Sequence, residues 1–191
     1  MHKNRLEAFS DGVLAIIITI MVLEMKVPHG TDIGALRPLI PVLLSYVMSF
    51  IYLGIYWNNH HHLMQATQRV SGAVLWANLH LLFWLSLVPF ATGWMGENGF
   101  AATTVALYGA ILLMAAIAYF ILTVALVRCN GRESPVARAV GSDFKGKISV
   151  VIYCVAIALA FISPLAACGL FVAVAAMWLV PDRRMEKVLA G

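Results

Sequence analysis

Charged residues are scarce in this chain of 191 amino acids. They make up 12% of the sequence, hydrophobic side chains make up 62%, and the mean hydropathy is +0.88. A soluble domain has about 25% charged and about 45–50% apolar residues. This shortage of charge excludes an ordinary soluble protein and predicts an all-α integral membrane protein. The net charge of +4 gives no indication of nucleic-acid binding, because the basic residues lie where membrane topology requires them.

Several motifs of catalysis and ion coordination are also missing. The sequence has no GxSxG nucleophile turn, no GxxxxGK[ST] phosphate loop and no TVGYG filter. Its three cysteines, Cys129, Cys154 and Cys168, are scattered and form no CxxC pair. We therefore predict no enzyme, no cofactor, no resident metal and no selectivity filter built from backbone carbonyls.

Six apolar segments are present, and each is predicted to be a transmembrane helix: about 5–25, 38–59, 70–96 with a bend at Pro89, 100–127, 147–163 and 165–181. The last two divide one uncharged run of 34 residues, which is too long for one span and carries a turn signal at Ser163-Pro164. Polar links are expected at 26–37, at 60–69 and at 128–147.

The distribution of basic residues gives the orientation. The last uncharged run has basic residues on both sides, which marks both sides as cytoplasmic and makes the run cross twice. Of the 13 Lys and Arg residues in the chain, only Lys26 and Arg37 then fall on the outer side. The sequence therefore predicts one six-span domain, 1–191, with both termini in the cytoplasm.

The first segment combines charge with an apolar stripe. Arg5, Glu7 and Asp11 stand near its start, and no further charge follows before Glu24. Since a helix turns by about 100° per residue, several side chains fall within about 60° of Ile16: Phe9, Gly12, Thr19, Ile20 and Leu23. Such a stripe usually packs against neighbouring helices. If several copies met on one axis, it would instead form a narrow hydrophobic constriction with a ring of threonines.

A second polar group, Trp57-Asn58-Asn59-His60-His61-His62, ends the second segment at the level where the first begins. An Arg–Asp–His network joining Arg5, Asp11 and a histidine is expected there, because charges near the bilayer need partners. The network would lock the helices, and a histidine in it could also sense protons. Adjacent histidines on one helix point in different directions, so they do not predict a metal site.

Two stretches carry a family resemblance. Arg5, Phe9, Ser10 and Asp11 spell RxxxFSD at the start of the first helix, and the second helix ends in YWNNHHHL. Both resemble the transmembrane protein 175 family of potassium channels, in its prokaryotic single-repeat branch. The resemblance implies a homotetramer with four first helices around a central pore.

The resemblance also implies roles for particular residues. Ile16, Ile20 and Leu23 match apolar pore layers, with Ile16 as the narrowest point, and Thr19 matches a hydroxyl layer that favours potassium. A motif network would hold the first helix in place: Arg5, Phe9, Ser10 and Asp11 with His60, His61 and His62.

Three alternative functions are compatible with the sequence. The first is a potassium-preferring channel in the plasma membrane of a prokaryote, with potassium ions and lipid as its partners. The second is a proton-coupled secondary transporter that uses Asp11 and a histidine, although the repeats typical of such carriers are absent. The third is a membrane enzyme that uses the histidine cluster.

Overall fold

The protein is described by a computed structural model that covers residues 3–141 and 143–179, apart from the side chain of Glu24. Within these ranges the chain forms eight α-helices: α1 Lys3–Ile20, α2 Ile40–Gln65, α3 Gly72–Ser86, α4 Val88–Glu97, α5 Ala102–Asn130, α6 Pro135–Val140, α7 Phe144–Ala160 and α8 Pro164–Leu179. Two short 3-10 helices, Met21–Glu24 and Ile33–Leu39, lie between α1 and α2. The all-helical prediction is confirmed.

Four helical segments are long and apolar enough to cross a bilayer: Lys3–Leu23, Ile33–Gln65, Gly72–Glu97 and Ala102–Asn130. The helix Pro164–Leu179 is apolar but shorter. The chain is therefore a multi-pass membrane protein. The predicted end of the sixth span and the basic residues Arg183, Arg184 and Lys187 lie outside the described residues.

Prolines mark the breaks in two of the apolar runs, where the sequence predicted a bend at Pro89 and a division at Ser163-Pro164. Pro89 lies in the first turn of α4, and the break from α3 falls at Leu87. Pro164 opens α8 after the break that follows Ala160. Proline has no N–H to donate and is tolerated in the first turn of a helix, which is why each new helix begins beside one.

The three predicted polar links are wrong in part, because helical structure extends into each of them. The helix α2 continues through all three histidines to Gln65, and Lys3 donates from Nζ to the terminal carbonyls of Met64 and Gln65 at 3.4 and 3.3 Å. The first link contains the 3-10 helix Ile33–Leu39, and the basic loop contains α6. A loss of hydrophobicity in the sequence marks where the chain leaves the apolar part of the membrane. A helix continues beyond that point until its backbone hydrogen bonds end.

The core lies around α5, which packs against α3 on one side and α7 on the other. Small buried residues let these helices approach closely, among them Ala115 and Ala118 of α5 and Ala156 of α7. The helix α1 lies at the edge of this bundle, against α2 and α3. One face of α1 is therefore packed, and the other face has no neighbour within the described chain.

Candidate functional site: the stripe of the first helix and its anchor

The two faces of α1 differ sharply in exposure. One face is buried against the bundle and consists of Leu6, Ser10, Leu14 and Ile17, with Met21 following in the 3-10 turn. The opposite face, which we call the apolar stripe, consists of Phe9, Gly12, Ile16, Thr19, Ile20 and Leu23. In the single chain, 64% of Ile16 and 77% of Leu23 are exposed, against 5% of Ile17. The stripe is therefore not used for packing within the chain.

Thr19 is the one hydroxyl on the stripe, and it is exposed. Its Oγ1 donates to the carbonyl of Ala15 at 2.8 Å, with the carbonyl of Ile16 at 3.1 Å. This bond fixes the hydroxyl proton toward the helix itself. The lone pairs of the Thr19 oxygen consequently remain available on the exposed face, where they can accept from water or coordinate a cation.

A buried chain of hydrogen bonds anchors the other face of α1. Ser10 donates to the carbonyl of Leu6 at 2.8 Å and accepts from Nδ2 of Asn78 at 2.9 Å. Oδ1 of Asn78 pairs with Nε2 of His60 at 2.8 Å. Since the Asn78 oxygen can only accept, Nε2 of His60 carries the proton. This chain, the Ser10–Asn78–His60 anchor, ties α1 to α3 and α2.

Two polar pairs join α1 to α2 beside the anchor. Trp57 donates from Nε1 to Oδ1 of Asp11 at 3.0 Å. Nδ1 of His61 lies 3.3 Å from Oε1 of Glu7, and its Nε2 lies 2.8 Å from the amide nitrogen of Gln65. Since the amide nitrogen of Gln65 can only donate, Nε2 of His61 accepts from it, and Nδ1 of His61 faces the Glu7 carboxylate. The ring of Trp57 stacks on that of His61, with centroids 5.9 Å apart.

The structure brings together only some of the predicted network residues. Ser10 and His60 share the anchor, whereas Asp11 is bonded to Trp57. Arg5 is exposed, and within the described residues its guanidinium has no partner. Phe9 lies on the exposed side. His62 is half-buried beside His61, with ring centroids 5.7 Å apart.

Sequence reasoning did not assign roles to Asn78, Trp57 or Glu7. Asn78 is fully buried at the centre of the anchor, and an asparagine inside an apolar helix was the signal available for it. In the part of the chain that the structure describes, two buried ring nitrogens have no hydrogen-bond partner: Nδ1 of His60 and Nδ1 of His62. No cluster of three His, Cys, Asp or Glu side chains arranged to hold a metal occurs among residues 3–141 and 143–179.

The fold and site define a class: a multi-pass helical membrane protein whose first helix is anchored on one face and bare on the other. The family model for the endosomal/lysosomal potassium channel TMEM175 matches residues 5–89, the part of the chain that contains the stripe and the anchor. A potassium channel of Chryseobacterium sp. (strain P1-3) is 57% identical over 189 residues, which are 99% of this chain and 98% of the relative.

Two further comparisons agree. A potassium channel of Streptomyces collinus (strain DSM 40733 / Tue 365) is 33% identical over 175 residues, 85% of this chain and 84% of the relative. The crystal structure of a lysosomal potassium-selective channel TMEM175 homolog from Chamaesiphon minutus superposes with a TM-score of 0.82 at 30% identity, covering 93% of this chain and 96% of that one. The chain belongs to the TMEM175 family, as the RxxxFSD resemblance predicted.

Proposed function

We propose that this chain is the subunit of a potassium-permeable, potassium-preferring channel in the plasma membrane of a prokaryote. Four copies surround a central pore, and each contributes α1. Each subunit crosses the membrane six times, with both termini in the cytoplasm. The names of the relatives support potassium conduction. The observation that carries the proposal is the exposed apolar stripe, because a single helix of one chain cannot enclose a pore.

The constriction is assigned to the apolar residues of the stripe. Ile16 forms the narrowest ring, and Ile20 and Leu23 form further layers toward the outside. All three are exposed in the single chain, as side chains that meet only in an oligomer must be. A narrow neck lined by such side chains excludes water until it widens, so it can gate by dewetting.

Thr19 supplies the hydroxyl layer next to this neck. Its proton is held by the carbonyl of Ala15, so its oxygen can face a permeating cation. Potassium loses its hydration shell at lower cost than the smaller sodium ion. A neck that strips water and offers hydroxyl oxygens favours potassium modestly, without the sharp selectivity of a carbonyl cage.

The polar residues at the start of α1 are assigned a positioning role. The Ser10–Asn78–His60 anchor and the Asp11–Trp57 pair fix the rotation of α1, so that its stripe faces the axis. Arg5 and Phe9 lie on the exposed side of the same helix end, where a neighbouring subunit can complete the motif network. His61 and His62 extend this network on α2.

The experiment is ion flux from liposomes that contain the purified protein, with potassium and sodium gradients compared. Ile16→Asn places a polar amide in the neck, which hydrates it. We expect this variant to raise flux and to reduce the preference for potassium. Val151→Asn is the matched control, because Val151 on α7 is 60% exposed in the single chain yet lies away from the stripe.

Two results would contradict the proposal. Equal flux in the wild type and in Ile16→Asn would show that the stripe does not form the constriction. Flux that saturates with substrate concentration and is lost in Asp11→Asn would indicate a proton-coupled transporter. Size measurement of each variant in detergent is the control for assembly.

A further inference from the structure

A cavity of about 340 Å³ lies between α2, α5, α7 and α8. Small-molecule sites in proteins have about 300–1,000 Å³ and are mostly apolar with a few placed polar groups. This cavity fits that description, since aliphatic and aromatic side chains form its walls and charged groups occur at one end. The proposed ion pathway along α1 does not use it.

Aromatic rings shape the inner part of the cavity. Tyr52 and Tyr153, each 2% exposed, lie with ring centroids 6.5 Å apart, and Tyr56 packs edge-on against Tyr119 at 6.2 Å. The hydroxyl of Tyr52 donates to the carbonyl of Phe171 at 2.6 Å, and that of Tyr119 donates to the carbonyl of Asn59 at 3.3 Å. Both hydroxyls are thus engaged by the protein, so Tyr52 and Tyr119 offer a ligand mainly ring surface.

The open end of the cavity carries polar side chains, and hydrogen bonds hold several of them in place. Trp178 donates from Nε1 to Oγ of Ser149 at 2.9 Å, which fixes the indole as one wall. Asp143 accepts from the backbone N–H of Gly146 at 3.3 Å and so caps α7. Lys147, one turn into α7, is exposed at the rim. Nζ of Lys145 lies 5.8 Å from the centroid of the Trp178 ring, and Lys147 and Trp178 both line the cavity. Basic and indole side chains at one level are typical of the lipid headgroup region.

We propose that this cavity binds one acyl chain of a membrane phospholipid, whose headgroup phosphate lies beside Lys147. The protein is embedded in lipid, so an apolar cavity that opens at headgroup level meets a high concentration of this ligand. Basic pockets between transmembrane helices bind anionic headgroups. The Asp143 carboxylate at the same end already accepts the backbone N–H of Gly146, which offsets part of its repulsion of an anion.

The walls argue against a polar soluble ligand. Such a molecule would lose its hydrogen bonds to water on entry, while Tyr52 and Tyr119 already use their hydroxyl protons. An acyl chain has no hydrogen bonds to lose by the same transfer and fits an apolar space. Phe120, which is half-exposed at the rim, is placed to flank such a chain where it enters.

The test uses the full-length protein in nanodiscs of phosphatidylglycerol that carries a diazirine in the middle of one acyl chain. After irradiation, peptide mass spectrometry locates the labelled residues. We expect labels on the cavity-lining residues Ile55, Ile117 and Val150. Ala116→Phe fills the cavity and should lower this labelling at least about tenfold. Ala173→Phe, at an exposed alanine of α8 outside the lining, should leave it unchanged.

A second pair of variants tests the headgroup contact. One basic residue near a membrane surface contributes about a fivefold gain in binding of anionic lipid. Lys147→Gln should therefore lower the labelling by about fivefold, and Lys147→Arg should retain it. Where Ala116→Phe fails to assemble, Ala116→Leu provides a smaller filling of the same space.

The outcomes separate clearly. Absence of label from the cavity lining, or equal labelling in the wild type and the cavity-filling variant, overturns the acyl-chain site. Labelling of Lys147→Gln that equals that of the wild type overturns the placement of the headgroup phosphate beside Lys147. The proposal does not rest on the channel function, because its readout is lipid labelling and needs no ion flux.

Discussion

The Ser10–Asn78–His60 anchor allows one substitution to be worked through in detail. Asn78→Leu keeps a side chain that branches at the same carbon but removes both the donor and the acceptor. Two interhelical bonds are lost, at 2.9 Å to Ser10 and at 2.8 Å to His60. Ser10 keeps its bond to the carbonyl of Leu6, whereas His60 is left with no partner on either ring nitrogen within the described residues.

The magnitude follows from these losses. An interhelical hydrogen bond inside a membrane protein contributes about 0.6 kcal/mol, and up to about 1.7. A buried polar group left without a partner costs about 1–3 kcal/mol. Asn78→Leu should therefore lower the free energy of unfolding by about 2 kcal/mol, which raises the ratio of unfolded to folded protein by about thirtyfold.

The assay is reversible unfolding in mixed micelles, followed by circular dichroism as the fraction of denaturing detergent is raised. Asn98→Leu is the matched control, because the amide of Asn98, the residue that follows α4, donates only to the carbonyl of Trp94 one turn earlier, at an exposed site. Adding Ser10→Ala to Asn78→Leu should cost less than Ser10→Ala alone, since the shared bond is already gone. Equal stability of the two leucine variants would refute the anchor as a source of stability.

Three further predictions concern other parts of the chain. Thr19→Val removes the exposed hydroxyl at nearly constant shape and should lower the potassium-to-sodium flux ratio in liposomes without abolishing flux. Gly96→Ala should destabilise the fold in the same unfolding assay, because the new Cβ would lie 2.5 Å from Oγ of Ser45; Gly54→Ala, with no atom within 4 Å, should not. Burial raises the pKa of Asp143, so the folded state holds this proton more tightly and stability should fall as pH rises above about 4. That component of the pH dependence should be missing from the melting temperatures of Asp143→Asn.

Much of the fold could be predicted from the sequence, because the bilayer imposes strict rules on length and charge. The division of the last run at Ser163-Pro164 and the break before Pro89 follow from proline's missing N–H. The end of α2 could not be predicted in this way. Its last residues are polar, and their helical state depends on the contacts of Lys3 and Glu7 from another helix.

The two faces of α1 in the candidate site could also be predicted from the sequence. The periodicity of α1 separates the stripe around Ile16 from the face that carries Ser10, and the exposures follow this division. The sequence could not predict which side chains form hydrogen bonds with each other. Asn78 and Ser10, for example, are 68 residues apart and meet only when α1 and α3 pack. The expected bond of Asp11 to a histidine is replaced by one from Trp57, whose indole reaches it from the same helix as the histidines.

The central claim is that copies of α1 meet around one axis at Ile16. The most direct measurement is block by Cd²⁺ of potassium flux through Ile16→Cys, made in a background that lacks Cys129, Cys154 and Cys168. Thiolates bind soft metal ions, and several thiols that converge on an axis bind them far more tightly than one. We expect micromolar Cd²⁺ to stop flux in Ile16→Cys, with recovery on chelation, and to leave Val151→Cys unaffected. Flux through Ile16→Cys that continues unchanged in Cd²⁺ would contradict the placement of the stripe at the pore axis.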